Sequence, residues 1–333
     1  MRYFIAITLL GAAWASPPKE PLGLPPVPWP QDNPYSEPKA ELGRALFYDK
    51  RLSSDGTISC ASCHSPGFAF AVPDPIAKGV EGRQGTRNAP TVINAAFFKD
   101  LFWDGRADSL EAQCLGPLAN PVEMTLDETP HAAYLNCCER VNRIGGYKKL
   151  FEAAFGTEEC SIDSLSKAIA TFERTILSGN SRYDRYLAGD KKALSEEELE
   201  GWRVFNKSHC ASCHGGPLFS DGKFYNIGVG MDKGEQDLGR YRITHDNKDW
   251  GAFKSPTLRE ISCTAPYMHD GSLQTLEEVV DYYDKGGNPN PNLHPLIKPL
   301  HLSAKEKKAL VAFLRTLNGE GWQHASGPDS LPK

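Results

Sequence analysis

The same pentapeptide occurs twice in this chain, as Cys60-Ala61-Ser62-Cys63-His64 and as Cys210-Ala211-Ser212-Cys213-His214. Two cysteines spaced C-x-x-C with an adjacent histidine are the pattern at which a c-type haem is attached. The two thiols form thioether bonds to the porphyrin, and the histidine becomes the proximal ligand of the iron. A zinc site or a disulfide would explain one copy. Two identical copies predict two covalently bound haem c groups, with His64 and His214 as iron ligands.

The first fifteen residues have the three parts of an export signal. Arg2 supplies a positive start, residues 3–13 form an apolar run, and Ala13-Trp14-Ala15 is an A-x-A cleavage site. The run is short for a bilayer-spanning helix, and an uncleaved N-terminal anchor is the alternative. Gram-negative bacteria attach haem c in the periplasm, which agrees with export. We therefore predict a signal peptide at residues 1–15, a periplasmic location, and no membrane span after its removal.

The composition argues against a nucleic-acid partner and predicts an extended N-terminal segment. The formal net charge is -5, and charges of both signs are scattered without a basic stripe. Eight prolines lie between Pro17 and Pro34, and a proline-rich segment of this kind runs extended. We assign residues 16–37 to this lead.

Apolar periodicity predicts a mainly α, loop-rich fold with little sheet. One stripe repeats at intervals of three and four residues, as in a helix with one buried face; it comprises Ile162, Leu165, Ile169, Phe172 and Ile176. Capping-box pairs predict three further helix starts, at Ser195 with Glu198, Thr275 with Glu278, and Ser303 with Glu306. The last of these helices should continue through Leu317 and end at Asn318-Gly319. No long alternation of apolar and polar residues predicts a large sheet.

A helix-like segment precedes each C-x-x-C-H motif, which indicates a duplicated haem domain. These segments are residues 40–48 and 196–205. We therefore expect two cytochrome c-like haem domains, an N-terminal one at residues 38–180 and a C-terminal one at residues 181–320. A tail at residues 321–333 follows them.

The sixth coordination position decides whether a haem iron carries electrons or reacts. Between Ser65 and Glu123 the chain has no histidine or methionine, and its one cysteine is Cys114. We therefore expect an open face on the first haem. Met124 and His131 are the nearest conventional ligands further along, and either of them, or Cys114, would close that face.

Several motifs, taken in order, resemble the bacterial dihaem cytochrome c peroxidase and MauG superfamily, and its MauG-type subgroup in particular. The resemblance extends from about Gly43 to Leu317. The matching segments are Asn88-Ala89-Pro90-Thr91, Phe102-Trp103-Asp104-Gly105-Arg106-Ala107, Asn120-Pro121-Val122-Glu123-Met124, Pro256-Thr257-Leu258-Arg259 and Ala265-Pro266-Tyr267-Met268-His269-Asp270-Gly271. Several spaced motifs in one order are far more specific than any one of them.

The resemblance implies catalytic roles for three residues. Glu123, and Gln113 ten residues before it, stand over the peroxidatic haem in this family. Splitting hydrogen peroxide needs a base that takes a proton from one oxygen and returns it to the other, and a carboxylate in a poorly hydrated pocket suits both steps. Trp103 corresponds to the tryptophan between the two haems, which passes electrons by transient oxidation. The alternatives are that Glu123 is an ordinary surface acid, that Gln113 is a solvated amide, and that Trp103 is simply a core residue.

The resemblance also implies a calcium ion between the two domains. Asn88, with backbone or side-chain oxygens of Thr264 and Pro266, corresponds to the calcium ligands of the family. Hard oxygen ligands suit this ion. An ordinary turn residue before Ala-Pro is the alternative interpretation of Asn88.

Two departures from the bacterial peroxidases favour the MauG-type subgroup. Those enzymes carry a histidine in the loop before A-P-T that caps the first haem until reduction releases it, but residues 78–84 contain none. They also place a methionine fourteen residues after the equivalent of His269, where this chain has Tyr283. MauG-type enzymes use a tyrosine there, and a phenolate stabilises ferric and higher iron states. Met268 and Met231 are the competing ligands of the second haem.

Five cysteines remain outside the two motifs: Cys114, Cys137, Cys138, Cys160 and Cys263. In an oxidising compartment most of them should pair, although an odd number cannot pair completely within one chain. We favour a bridge from Cys137 or Cys138 to Cys160, and the sequence leaves the connectivity open.

These observations lead to one main hypothesis and two alternatives. The main hypothesis is a periplasmic dihaem c oxidase. In this hypothesis hydrogen peroxide reacts at the open haem, and both haems then share a high-valent state. That state oxidises residues of a partner protein, and we expect these residues to be tryptophan. The first alternative is a dihaem cytochrome c peroxidase that reduces hydrogen peroxide with electrons from a small cytochrome or cupredoxin. The second is an electron carrier with two closed haems, in which the catalytic pair has no purpose.

Overall fold

The computed structural model describes residues 16–333, and helices dominate that range. The predicted signal peptide at residues 1–15 lies outside the described residues. The described α-helices are α1 (Glu37–Tyr48), α2 (Cys60–Cys63), α3 (Leu110–Leu118), α4 (Pro130–Asn142), α5 (Gly145–Phe155), α6 (Ile162–Glu173), α7 (Arg182–Leu187), α8 (Glu196–Lys207), α9 (Tyr241–Thr244), α10 (Leu276–Asp284) and α11 (Ala304–Arg315). Short 3-10 turns lie at Lys50–Leu52, Pro66–Phe68, Val80–Gly82, Ala95–Phe97, Cys210–Ser212, Asn247–Asp249, Ile261–Cys263 and Trp322–His324.

The sheet content of the described range is small. Strands β1 (Phe224–Tyr225) and β2 (Phe253–Lys254) pair antiparallel, with Phe224 opposite Lys254. Long irregular segments connect the remaining elements. The prediction of a mainly α, loop-rich fold is therefore confirmed.

The two cytochrome c-like halves share one helix-crossing geometry. In the N-terminal half α1 packs on α6 at Gly43, where an added Cβ would lie 1.9 Å from the carbonyl oxygen of Ala168. In the C-terminal half α8 packs on α11 at Gly201, where an added Cβ would lie 1.9 Å from the carbonyl oxygen of Ala309. The helices of each pair touch through their backbones, and only glycine leaves room for that contact.

The second helix of each pair also ends in the same way. Thr175 follows α6 and Thr316 follows α11, and each hydroxyl donates to the carbonyl oxygen three residues earlier, at 2.6 and 2.7 Å. These bonds satisfy a carbonyl of the last turn, so the chain can leave the helix. Ile176 and Leu317 therefore lie beyond the helices, although both are fully buried. The prediction that the helices extend through these two residues was wrong.

The three predicted helix starts are confirmed. Ser195, Thr275 and Ser303 are the N-caps of α8, α10 and α11. Each hydroxyl accepts a hydrogen bond from the backbone N–H of the glutamate three residues later, and that glutamate accepts one from the N-cap backbone in return. A capping box of this kind needs only neighbouring residues, so the local sequence is sufficient to predict it.

The segments at the two ends of the described chain contact opposite halves. The proline-rich lead has no helix or strand before α1, and the carbonyl oxygen of Gly23 accepts a hydrogen bond from Arg259 at 3.3 Å. The tail returns to the N-terminal half, where the hydroxyl of Tyr48 donates to the carbonyl oxygen of Ala325 at 2.7 Å. Both segments therefore bind the two halves together.

The longest helix within residues 16–333 has 13 residues. No helix in that range combines the length and the hydropathy that crossing a bilayer requires.

The helix crossings can be tested by filling them. Gly43→Ala and Gly201→Ala should each lower the midpoint of thermal unfolding, because the added methyl group meets a carbonyl oxygen; overpacking of this kind costs about 1–3 kcal/mol. Helix propensity alone would act in the opposite direction, by about 0.5–1 kcal/mol. Gly234→Ala is the control, since no atom lies within 4 Å of its added Cβ. An unchanged or raised midpoint in both crossing variants would contradict this account.

Candidate haem and peroxide site

One continuous cavity connects the two C-x-x-C-H motifs. Its volume is about 960 Å³, which is at the upper end of the range for a pocket that holds one small ligand. Residues from both motifs border it, namely Cys63, His64, Cys210, Cys213 and His214. The thiol and imidazole donors therefore face a single internal space, which suits two porphyrins.

The two motif histidines are oriented alike. Nδ1 of His64 lies 3.3 Å from the carbonyl oxygen of Phe70, and Nδ1 of His214 lies 3.1 Å from that of Phe219. A hydrogen bond from Nδ1 leaves Nε2 free as a metal ligand and fixes the ring direction. Burial lowers the pKa of both histidines, so both are neutral near pH 7, as an iron ligand must be.

A carboxylate and an amide border the cavity beside the first motif. Glu123 and Gln113 both line it. Burial, and the neighbouring Glu123, raise the pKa of Cys63 to about 11, which places this carboxylate close to the first motif. Oε1 of Glu123 accepts a hydrogen bond from Nδ2 of Asn120 at 2.5 Å. Burial raises the pKa of Glu123, and the Asn120 hydrogen bond and Arg106 oppose that shift without cancelling it.

The side chains that could close the first haem lie elsewhere. Met124 and Cys114 are buried in the apolar core of the N-terminal half, and the Cys114 thiol lies 3.3 Å from the carbonyl oxygen of Glu111. His131 is exposed at the start of α4. None of these three residues borders the cavity.

The loop at residues 78–84 packs against the backbone of the Asn120–Glu123 turn. The backbone N–H of Val80 donates to the carbonyl oxygen of Glu123 at 3.0 Å. Gly79 and Gln84 border the cavity. Residues 78–84 contain no histidine, methionine or cysteine. This loop therefore offers no conventional iron ligand to the space beside Glu123.

Trp103 borders the cavity where the two halves meet. Its Nε1 donates to the carbonyl oxygen of Asn88 at 2.9 Å, and its own carbonyl oxygen accepts from the backbone N–H of Lys254 at 2.8 Å. The ring centroids of Trp103 and His269 are 6.4 Å apart at an interplanar angle of 71°, an edge-to-face arrangement. Both halves of the chain therefore hold the tryptophan.

The same junction contains a partly buried cluster of charged residues that the motifs did not reveal. Arg87 donates to both carboxylate oxygens of Asp237, at 2.6 and 2.9 Å, and to Asp104 at 2.6 Å. Burial alone would raise the pKa of Asp237, but the hydrogen bonds from Arg87 and from the backbone of Gly239 lower it to about 2. Arg87 and Asp237 are 150 residues apart, so no local pattern could have predicted the pair.

His269 is a second residue whose position the sequence did not specify. Its ring stacks on Phe253 at a centroid distance of 3.6 Å and an angle of 12°. The side chain is buried, and burial lowers its pKa to about 4, so the ring is uncharged near neutral pH. An uncharged aromatic pair therefore lies against Trp103 in the cavity wall.

Tyr283 borders the cavity, and the adjacent Tyr282 is bonded elsewhere. The hydroxyl of Tyr282 donates to the carbonyl oxygen of Ile227 at 2.9 Å. Burial, followed by the neighbouring Cys210 and Cys213, raises the pKa of Tyr283, which places its ring near the second motif. A phenolate in such surroundings needs a cation beside it, and ferric iron would supply that charge.

The two methionines proposed as competing ligands differ in position. Met268 borders the cavity, so it stays a competitor of Tyr283. Met231 does not border it; its sulfur lies 3.7 Å from Nδ2 of Asn226.

The three candidate calcium ligands border the same cavity. Asn88, Thr264 and Pro266 all line it. Nδ2 of Asn88 donates to the carbonyl oxygens of Asp74 and Pro75, at 3.3 and 3.1 Å. The amide oxygen is therefore the atom left for a cation, and an oxygen donor fits Ca²⁺.

Two of the five remaining cysteines lie side by side. The sulfur of Cys138 is 2.7 Å from that of Cys160. Cys137 is buried nearby, and Cys263 is exposed. Of the two pairings considered from the sequence, the positions favour Cys138 with Cys160.

Comparison with known proteins agrees with this arrangement. Residues 37–192 match the family model for di-haem cytochrome c peroxidase, and residues 199–318 match that for cytochrome c. The cytochrome-c peroxidase IdrP1 of Pseudomonas sp. strain SCT is 38% identical over 91% of this chain and 86% of its own length. The methylamine utilization protein MauG of Methylorubrum extorquens is 40% identical over 88% of this chain and 82% of its own.

A solved structure is also similar over nearly the whole chain. The crystal structure of a MauG-like protein associated with microbial copper homeostasis has a TM-score of 0.83 and 37% identity, and it covers 91% of this chain and 95% of that one. Relatives named as peroxidases and relatives named as MauG match to a similar degree.

The position of Tyr283 leads to a spectroscopic prediction. In the ferric protein we expect one high-spin and one low-spin haem by electron paramagnetic resonance. Tyr283→Phe should change the low-spin signal, because the oxygen ligand is lost, and should leave both haems attached. Tyr282→Phe is the matched control, since its hydroxyl bonds to Ile227. A low-spin signal that survives Tyr283→Phe would assign the sixth position to another residue, with Met268 first.

Proposed function

The chain belongs to the di-haem cytochrome c peroxidase and MauG family, a family of haem oxidoreductases that use peroxide, and we propose that it is a MauG-type oxidase of a partner protein. In this proposal hydrogen peroxide reacts beside Glu123, and the two haems together hold the two oxidising equivalents. Residues of a protein docked on the surface, with tryptophan as the expected target, then supply the electrons. The observation that carries the proposal is Tyr283, an oxygen donor that borders the cavity near the second motif.

The side chain of Glu123 suits the proton transfers that peroxide cleavage requires. It lies in the cavity with a pKa raised by burial, so it exchanges a proton nearer to neutral pH than an ordinary glutamate does. The hydrogen bond from Asn120 holds one oxygen, which leaves the other for the substrate. Gln113 borders the same space, where its amide can orient a peroxide by hydrogen bonding.

Trp103 suits transfer between the two haems. It borders the cavity and contacts both halves through hydrogen bonds. His269 and Phe253 pack beside it without a charge near neutral pH. A tryptophan held rigidly in such a wall reorganises little when it loses an electron.

The family membership also supports a second function. IdrP1 is named a cytochrome-c peroxidase and is as similar to this chain as MauG is. A peroxidase that receives electrons from a small cytochrome or cupredoxin would use the same Glu123, Gln113 and Trp103. Two features favour the oxidase over the peroxidase: the absence of histidine from residues 78–84 and the presence of Tyr283.

Several further assignments belong to the proposal. They are the periplasmic location with a cleaved signal at residues 1–15, calcium at Asn88, Thr264 and Pro266, and domain boundaries near residues 38, 180 and 320. The oxygen donors around Asn88 support calcium. The motif for haem c attachment supports export, because attachment takes place outside the cytoplasm.

The order of reduction and peroxide reaction separates the two functions. Hydrogen peroxide added in equimolar amount to the fully ferric protein should change the absorption of both haems without any reductant, because no histidine has to leave the first iron. The change should persist until a reducing partner is added. The same addition to half-reduced protein is the control. A reaction that occurs only after reduction would overturn the oxidase in favour of the peroxidase.

The role of Glu123 predicts a pH-dependent rate. The base must be ionised, so the rate of peroxide reaction should fall as the pH decreases through the raised pKa of Glu123. Glu123→Gln should lower the rate by about 10²–10⁴ and remove that pH dependence. Glu235→Gln is the control, because Glu235 also borders the cavity but is exposed. A Glu123→Gln rate within twofold of the parent would exclude this residue as the base.

A further inference from the structure

Lys254 places a partly buried positive charge in the cavity wall. The residue lies in β2, and its backbone N–H donates to the carbonyl oxygen of Trp103 at 2.8 Å. Its side chain borders the cavity between the two motifs. The backbone is therefore fixed at the junction of the halves.

The Lys254 ammonium group has one hydrogen-bond acceptor among the described residues. Nζ donates to the carbonyl oxygen of Asp100 at 2.9 Å and lies 4.8 Å from the ring centroid of Phe98. An ammonium has three N–H donors, so the described residues accept one of them. Among those residues no carboxylate oxygen lies within 4.0 Å of Nζ. Burial lowers the pKa of Lys254 to about 8, and the charge of the nearby Asp100 carboxylate opposes that shift without cancelling it.

The other partly buried cation of the cavity wall is paired. Arg87 binds Asp237 and Asp104. Arg106, which is exposed, binds Asp104 as well and stacks on Phe102. Lys254 is the exception among these three, and an unpaired charge in a buried site is costly unless another group supplies the opposite charge.

An acidic group on the molecule that fills the cavity would supply a closer negative charge. A haem carries two propionate carboxylates, and a lysine ammonium binds a carboxylate as a point charge. The backbone of this segment lies beside the second motif, because the hydroxyl of Ser255 lies 3.2 Å from the carbonyl oxygen of Cys213 and 3.4 Å from Nδ1 of His214. Lys254 is thus one residue away from the attachment site of the second haem.

We propose that Lys254 is a positioning residue that pairs with a propionate of the haem attached at Cys210 and Cys213, and that this pair raises the reduction potential of that haem. The positive charge disfavours the ferric iron, which carries one more positive charge than the ferrous iron. The inference depends on haem attachment alone and is independent of the protein substrate. Its failure would leave the proposed oxidase intact.

The test compares reduction potentials in the holoprotein with both haems attached. Lys254→Gln removes the charge but keeps a donor for the Asp100 carbonyl, and Lys254→Arg keeps the charge. Lys99→Gln is the matched control, because Lys99 is exposed and lies between Phe98 and Asp100, the two residues that the Lys254 side chain contacts. Spectroelectrochemical titration, with the two haems distinguished by electron paramagnetic resonance, gives each potential.

Lys254→Gln should raise the ferric-to-ferrous ratio of the second haem at least tenfold at a fixed potential, a shift of about 59 mV for one electron. Lys254→Arg should keep the parent ratio, and Lys99→Gln should not change it. Redox difference infrared spectra should show a perturbed propionate band in Lys254→Gln alone. Unchanged potentials in Lys254→Gln would overturn the proposal. A shift confined to the first haem would overturn the assignment to the second.

Discussion

The hydrogen bonds around Trp103 connect the two halves at the point where their cofactor spaces meet. Asn88 accepts from the indole nitrogen and Lys254 donates to the backbone carbonyl. Asn88 and Lys254 occupy equivalent places, since each stands two residues before the proline of a Pro-Thr pair. The tryptophan is thus held by the same segment of each half. Trp103 packs against His269, and both His269 and Arg87 pack on Phe253. A displaced Trp103 would therefore disturb this part of the cavity wall.

Duplication explains the shared frame, and the cavity wall explains the difference in chemistry. Both halves have a helix crossing at glycine, a threonine at the end of the second helix, and a histidine bonded to a backbone carbonyl. These features fix a haem without deciding its reactivity. The side chains on the opposite faces differ: Glu123 and Gln113 in one half and Tyr283 in the other. In the proposed function, one scaffold therefore carries one site for peroxide and one for storing charge.

Local signals were enough for much of the fold and for the cofactor. The C-x-x-C-H motifs and the capping boxes involve residues within five positions of one another, so the chain needs no distant partner to express them. Helix ends were less predictable. Ile176 and Leu317 continue an apolar stripe, but burial does not require a helix once Thr175 and Thr316 end it. Apolar periodicity reports which residues are buried and only approximately where the helix stops.

The sequence by itself determined the mainly α fold and the family, and it predicted two haems and their attachment residues. Tertiary structure decided which side chains reach the cavity: it separates Tyr283 from Tyr282 and excludes Met124, His131, Cys114 and Met231 from the lining. It also brought Arg87 to Asp237 and left the Lys254 ammonium group without a carboxylate oxygen of the described residues within 4.0 Å. The reason is physical. Covalent attachment and helix capping act between near neighbours, whereas burial and charge pairing depend on segments that meet only after the two halves have packed together.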